Sequence, residues 1–226
     1  MTYRSKKDDN DMCTNVLIVP GYHGSGDAHW QSWLETRLPQ ARRVTGIDWE
    51  VPALHRWAEA VINELDNHSY PSIIVAHSFG CLASALAIAH RPRRVAGVIL
   101  VAPADPQRFA LSGPRNPAQP RELSIAWSLP ENALNTPGLV VGSHNDPWMK
   151  LQHAHAWAKR WRLPFHDAGP MGHINVDAGF GPWPWIEQIT EALCEKVALS
   201  HGATQHWGHG HEVARHSTAP MRLLYA

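Results

Sequence analysis

The 226-residue sequence has few cysteines, no excess of charge and no long apolar run. Its three cysteines, Cys13, Cys81 and Cys194, have neither the number nor the spacing of a disulfide framework or a zinc site. Lysine and arginine total 20, as do aspartate and glutamate, so no net charge is present to recruit nucleic acid or an anionic membrane. No apolar stretch approaches the roughly 20 residues that span a bilayer, and the polar N-terminus has no signal-peptide apolar region. We therefore expect a cytoplasmic protein with no nucleic-acid or membrane partner.

Motifs for cofactors and metals are lacking as well. The sequence contains neither GxGxxG nor GxxxxGK[ST], the two common phosphate-binding patterns. His153 and His155 lie two residues apart on a predicted helix and therefore point to different faces. The C-terminal histidines, His209, His211 and His216, do not have the spacing of a closed zinc site. We expect no functional metal and no cofactor.

Short apolar runs alternate with amphipathic stretches along most of the chain. Strands are predicted at residues 16–19, 43–47, 72–76, 95–101, 139–141 and 165–168. Helices are predicted at residues 29–38, 54–65, 78–90, 148–161 and 185–199. This alternation predicts an α/β fold, with a mostly parallel sheet of about six strands and helices on both faces.

The length suits one domain, which we place at residues 15–200. A charged, flexible segment is expected at 1–14 and a flexible tail rich in histidine and glycine at 201–226. Residues 103–137 are rich in proline and arginine and have few periodic features, so they are predicted to form a loop or a small cap rather than a domain.

Ser78 lies at the corner between a predicted buried strand and an apolar helix. Its neighbours two positions away, Ala76 and Gly80, are small, which lets strand and helix approach without a clash. The first amides of the helix, and the positive end of its dipole, point toward the same corner. This is the context of a serine nucleophile, although a Ser-x-Gly pattern by itself also occurs in ordinary turns.

Partners for such a serine are expected at the carboxyl ends of the other strands, where sites form in open parallel sheets. Asp146 follows the predicted strand at 139–141, and His173 follows the last strand. The order Ser, Asp, His along the chain is that of α/β-hydrolases. His173 would take the serine proton, and Asp146 would orient the imidazole and stabilise its cation.

Two other aspartates compete for the acid role. Asp105 follows the strand after the Ser78 helix, a position that some hydrolases use, and it is the second choice. Asp167 is a further candidate. Asp146 has a purely structural alternative, because a residue before Pro147 can simply cap a helix that begins at Trp148. The oxyanion that forms during acyl transfer needs two amides, for which we predict those of Phe79 and Tyr22.

Together these segments resemble the small serine hydrolases of the YdeN and retinoblastoma-binding-protein-9-like family. The resemblance covers about residues 15–197. The motifs that carry it are Val19-Pro-Gly-Tyr-His-Gly-Ser25, His29-Trp30-Gln31, Ala76-His-Ser-Phe-Gly-Cys81, Asn145-Asp-Pro147 and Gly172-His-Ile-Asn175. It implies a compact α/β-hydrolase fold with little or no lid, and a triad of Ser78, Asp146 and His173.

Three further residues beside the predicted oxyanion loop are candidates for the pocket: His23, His29 and Trp30. The resemblance gives His29 and Trp30 the role of either a structural clamp or a pocket wall. The predicted function is hydrolysis of a small acyl ester, amide or thioester through an acyl-enzyme. Two alternatives remain open: a non-catalytic binding protein on the same fold, and an acyltransferase that uses the same triad.

Overall fold

The structure is a computed structural model that describes residues 15–116, 118 and 122–205. The predicted flexible segment 1–14 and residues 206–226 of the predicted tail lie outside the described residues. The strands are β1 Asn15–Val19, β2 Ala41–Arg43, β3 Ser72–His77, β4 Val95–Val101, β5 Phe109–Ala110, β6 Gly113–Pro114, β7 Gly138–Gly142 and β8 Phe165–Asp167. The α-helices are α1 Trp30–Arg37, α2 Leu54–Asp66, α3 Phe79–His90, α4 Leu151–Trp161 and α5 Pro184–Gln205.

Six strands form one sheet in the order β2-β1-β3-β4-β7-β8, and every neighbouring pair is parallel. This is the predicted sheet. Successive side chains of a strand point to opposite faces, and both faces are covered here. Leu17 packs in a core with α2, α3 and α4, whereas its neighbours Val16 and Ile18 pack in a second core with α1 and α5. Because both faces of the sheet are buried, the sequences of its central strands are continuous apolar runs.

Three elements differ from the prediction by more than one residue at an end. The edge strand was expected at 43–47 but is β2 at 41–43, because Gly46 adopts a left-handed φ of 74° and turns the chain away after Val44. Helix α4 begins at Leu151 and not at Trp148, since the Asp146 carboxylate accepts the Trp148 amide at 2.8 Å and holds a turn there. Helix α5 continues to Gln205, into the predicted tail, because extending an existing helix costs far less than starting one.

The segment between β4 and β7 folds over the carboxyl ends of the strands. Its described part contains the antiparallel hairpin β5–β6 and short 3₁₀ turns at Pro106–Arg108 and Ile125–Ser128. We refer to this described part as the small cap. None of the described helices is both long and apolar enough to cross a membrane.

Candidate active site

Ser78 occupies a sharp turn between β3 and α3. Its φ of 52° and ψ of −122° place it in a conformation that L-residues rarely adopt. The turn is fixed by the Ser78 amide, which donates to the carbonyl of Val101 at 3.0 Å. Neighbouring backbone leaves no room for larger residues: a Cβ at Gly80 would approach the Val19 carbonyl oxygen to 2.6 Å, and one at Gly21 would approach the Ser78 Cβ to 2.7 Å.

The structure brings Ser78, His173 and Asp146 into one hydrogen-bonded series. The Ser78 Oγ lies 2.8 Å from His173 Nε2. On the other side of the ring, His173 Nδ1 lies 2.9 and 3.0 Å from the two carboxylate oxygens of Asp146. A carboxylate only accepts, so Nδ1 carries the proton and leaves Nε2 free to accept from the serine. The three side chains are largely shielded from solvent.

Neither competing aspartate contacts His173. Asp105 accepts the Gln107 amide at 2.9 Å, which caps a 3₁₀ turn, and lies 3.6 Å from His153. Asp167 bonds to His144 at 2.6 Å on the surface, and this hydrogen bond is the main reason why its pKa is lowered. Asp146 has the triad geometry, and it also forms the local turn that a capping role predicts.

The loop that carries His173 is held by contacts that sequence reasoning missed. Asn145 Oδ1 accepts the Gly172 amide at 2.6 Å and the Ser143 hydroxyl at 3.0 Å. Ser143 Oγ in turn accepts the Met171 amide at 2.9 Å. The acid loop thus fixes the histidine loop. Both polar residues lie in the Gly142–Pro147 stretch, in which only Asp146 was predicted to have a role in the site.

His77 is a second contact that the sequence did not predict. Its Nε2 lies 2.9 Å from the carbonyl oxygen of His173, and because a carbonyl only accepts, His77 donates. Burial holds the pKa of His77 well below its ordinary value, with smaller contributions from the charges of His173 and His29. His77 is therefore a neutral donor packed directly behind the Ser78 turn.

His29 and Trp30 lie behind this arrangement and do not line the cavity. Trp30 is fully buried, and its indole N–H donates to the Ile174 carbonyl at 2.8 Å. His29 Nδ1 accepts the Gln31 amide at 3.1 Å and caps α1. Burial, followed by the charges of Arg43 and His173, lowers the pKa of His29 to about 4. Neither side chain is among the residues that line the cavity over Ser78, and their contacts are those of a clamp rather than of a pocket wall.

The two amides expected to bind an oxyanion belong to residues that lie beside the Ser78 turn. Phe79 is the first residue of α3, where amides have no partner within the helix. The close approach of Gly21 to Ser78 brings the Gly21–Tyr22 peptide beside the serine side chain. Neither amide donates to any residue that the structure describes. Both are therefore available to a ligand.

Comparison with known families adds the deciding observation. A model of the serine hydrolase family matches residues 16–192. The chain belongs to the serine hydrolase family. It is accordingly an enzyme, an esterase-like hydrolase of the α/β-hydrolase superfamily, which leaves the non-catalytic alternative without support. A comparison with functionally curated proteins finds no match.

Solved structures agree with this assignment. A protein described as a YdeN-like hydrolase from Pectobacterium atrosepticum is 34% identical, with 84% of this chain and 95% of that chain covered and a TM-score of 0.72. The ydeN product of B. subtilis is 20% identical, with 80% and 98% covered and a TM-score of 0.60. Est1E from Butyrivibrio proteoclasticus, solved with ferulic acid, is 17% identical, with 85% and 91% covered and a TM-score of 0.59. The last two show the fold alone.

A cavity of about 690 Å³ opens over Ser78 and His173. Tyr22 and His23 form part of its wall, so His23 is the one of the three pocket candidates that reaches it. The His23 ring stacks on Tyr22 at 3.7 Å, and its Nδ1 lies 2.9 Å from Glu50. Much of the remaining wall comes from the small cap. Within the described ranges, no cluster of three or more His, Cys, Asp or Glu side chains could hold a metal ion.

Proposed function

We propose that this serine hydrolase cleaves a small acyl ester, amide or thioester through an acyl-enzyme on Ser78. The observation that supports the proposal most strongly is the continuous series from Asp146 through His173 to Ser78, with contacts of 2.9 and 2.8 Å, at the floor of a cavity. A serine hydroxyl needs a base within hydrogen-bond reach, and the series supplies one in the required tautomer.

The proposed first half-reaction forms the acyl-enzyme. Ser78 Oγ bonds to the substrate carbonyl carbon while His173 Nε2 takes the serine proton. The negative oxygen of the tetrahedral intermediate accepts hydrogen bonds from the Phe79 and Tyr22 amides. Asp146 stabilises the imidazolium. As the intermediate collapses, the bond to the leaving group breaks and His173 returns the proton to that group.

Water completes the second half-reaction. It attacks the acyl carbon, His173 accepts its proton, and the Ser78 ester bond breaks. Ser78 recovers the proton as the carboxylic acid leaves. The cavity provides room for a small-molecule acyl group above Ser78.

A substrate screen with a matched variant tests the proposal. Wild type and Ser78→Ala are assayed with short-chain 4-nitrophenyl esters, acyl thioesters and aminoacyl amides. We expect turnover of at least one class by wild type and its loss in Ser78→Ala, with the variant still folded by circular dichroism. Turnover retained by Ser78→Ala would overturn the proposal. Product analysis with added alcohols or amines distinguishes hydrolysis from acyl transfer.

A further inference from the structure

The hairpin of the small cap places two arginines on the wall of the catalytic cavity. Arg108 and Arg115 both line it together with Ser78. They flank the β5–β6 pairing, in which Phe109 lies opposite Pro114, and the Arg115 amide donates to the Arg108 carbonyl at 2.9 Å. The two arginines are therefore the next cross-strand pair, with their side chains on one face.

Such a pair of like charges is unfavourable unless something compensates it. Other arginines have carboxylate partners in this structure: Arg37, Arg42, Arg43, Arg91 and Arg94. Neither Arg108 nor Arg115 has an ion-pair partner within the described ranges. No carboxylate in the part of the chain that the structure describes therefore forms an ion pair with either of these guanidinium groups.

Both guanidinium groups are held in place by neutral contacts. Arg108 Nη1 donates to the Pro147 carbonyl at 2.9 Å, and its guanidinium carbon lies 4.3 Å from the centre of the Trp148 ring. Arg115 Nη1 donates to the Gln107 carbonyl at 3.0 Å, while its Nε is buried and has no hydrogen-bond partner among the described residues. A guanidinium has five N–H donors, so each arginine keeps donors for a ligand, and the tethers reduce the entropy lost on binding.

Two carboxylates, those of Asp105 and Asp177, also line the cavity, but neither forms an ion pair with Arg108 or Arg115. Asp105 is engaged by the Gln107 amide and lies near His153, at 3.6 Å. Asp177 belongs to the segment after His173, a different part of the wall, and is exposed to solvent. An anion on the hairpin side of the cavity would meet two fixed guanidinium groups.

Arg108 is also near the reacting groups. The Trp148 ring that carries the Arg108 guanidinium lies 6.3 Å from the His173 ring, centre to centre. We propose that Arg108 and Arg115 form an anion-binding subsite that holds a carboxylate of the substrate while Ser78 attacks its ester bond. The inference rests on the proposed function and narrows it to acidic esters. Planar carboxylates match the guanidinium fork in a bidentate manner.

Matched ester pairs test the charge preference. One pair is mono-4-nitrophenyl adipate and its methyl ester, with the carboxylate on the acyl side. The other is 4-acetoxybenzoate and its methyl ester, with the carboxylate on the leaving group. The quantity measured is the ratio of kcat/KM for the acid to kcat/KM for its methyl ester, in wild type, Arg108→Gln, Arg115→Gln and the double variant. Arg93→Gln is the control, because Arg93 is exposed and lies outside the cavity wall.

In at least one pair we expect the ratio to fall about tenfold or more in the double variant, since charge-assisted hydrogen bonds are lost. The ratio for each single variant should lie between those of wild type and the double variant, and the ratio for Arg93→Gln should equal that of wild type. Raising ionic strength should lower the wild-type ratio. A ratio that is unchanged in the double variant for both pairs, or lowered equally by Arg93→Gln, overturns the subsite.

A binding measurement separates this inference from the proposed function. Isothermal titration calorimetry with monomethyl adipate, carried out with Ser78→Ala present in every protein compared, measures binding without turnover of the ester. We expect its affinity to fall at least tenfold in the double variant and to be unchanged in Arg93→Gln, even if no ester is cleaved. Equal affinity in all three proteins overturns the subsite and leaves the proposed hydrolysis untouched. Tighter binding of methyl phosphate than of monomethyl adipate overturns the carboxylate assignment.

Discussion

His77 donates a hydrogen bond from Nε2 to the carbonyl oxygen of His173, at 2.9 Å. The residue that precedes the serine thereby holds the backbone of the histidine that contacts the serine. The two residues are 96 positions apart in the chain. The contact joins the end of β3 to the loop after β8 and makes the Ser78–His173 distance depend on a neutral, buried ring.

Replacing His77 by Phe should lower both kcat and stability, because it removes the hydrogen bond that holds the His173 backbone. The variant keeps a ring but leaves the His173 carbonyl unsatisfied, which costs about 1–3 kcal/mol. We expect kcat to fall about tenfold or more, with a matching loss in the free energy of unfolding in urea. His77→Gln, which can offer an amide N–H at a similar reach, should recover part of both. Equal kcat in wild type and His77→Phe would exclude the positioning role.

Gly21→Ala tests the close approach of the oxyanion loop to Ser78. The added Cβ would lie 2.7 Å from the Ser78 Cβ, so the loop and its Tyr22 amide must shift. Loss of one oxyanion donor lowers kcat by about a hundredfold or more, and we expect an effect of that order. Gly26→Ala is the matched control, because nothing lies within 4 Å of its added Cβ. Similar kcat values for the two variants would contradict the oxyanion assignment.

The acid is tested by three matched Asp→Asn substitutions. Asp146→Asn should keep the fold and lower kcat by about four orders of magnitude, because the imidazole loses its orienting carboxylate. Asp105→Asn and Asp167→Asn remove the same charge from residues that do not touch His173. Steady-state kinetics should find kcat within a few-fold of wild type for Asp167→Asn. If the large loss of kcat occurred in Asp105→Asn and not in Asp146→Asn, the assignment of Asp146 as the acid would be wrong.

The buried histidines predict that the protein loses stability in mild acid. The pKa of His29 is about 4 in the folded protein, against an ordinary value of 6.5. Between these pH values the unfolded chain binds more protons than the folded one, so the free energy of unfolding falls as pH falls. For His29 the loss approaches about 3 kcal/mol by pH 4. The lowered pKa of His77 acts in the same direction.

His29→Asn provides the comparison. Asparagine can still accept the Gln31 amide as a helix cap but does not titrate. Urea unfolding of both proteins at several pH values from 4 to 7 should give a flatter dependence for the variant. Parallel curves would mean that His29 does not supply this part of the pH dependence.

Much of the fold and the site follows from the sequence because both depend on local patterns. Apolar runs such as 72–76 and 95–101 are buried on both faces of a parallel sheet, and the ends of such strands meet at one edge. Chain order then suffices to bring Ser78, Asp146 and His173 to the same place. The edge strand was misplaced because β-branched residues after Arg43 suggested pairing, while Gly46 turns the chain away.

The rest depends on contacts between loops, which a linear pattern does not contain. Nothing local distinguishes His77 as a donor to His173, or Asn145 as an acceptor for Gly172. His29 and Trp30 follow the oxyanion loop in the chain, but whether a side chain there faces the cavity or the core depends on how α1 is rotated. Likewise, the side chains of Arg108 and Arg115 both point toward the cavity because of the register of the β5–β6 hairpin.

The central claim is that Ser78 is the residue that becomes acylated, and covalent labelling tests it most directly. Wild type, Ser78→Ala and Ser84→Ala are treated with a fluorophosphonate, and the modified peptide is identified by mass spectrometry. Ser84 is a matched control, since it is buried in the same helix without a hydrogen-bond partner for its hydroxyl among the described residues. We expect one adduct, on Ser78, in wild type and Ser84→Ala and none in Ser78→Ala. A folded wild-type protein that is not labelled, or is labelled elsewhere, would contradict the account.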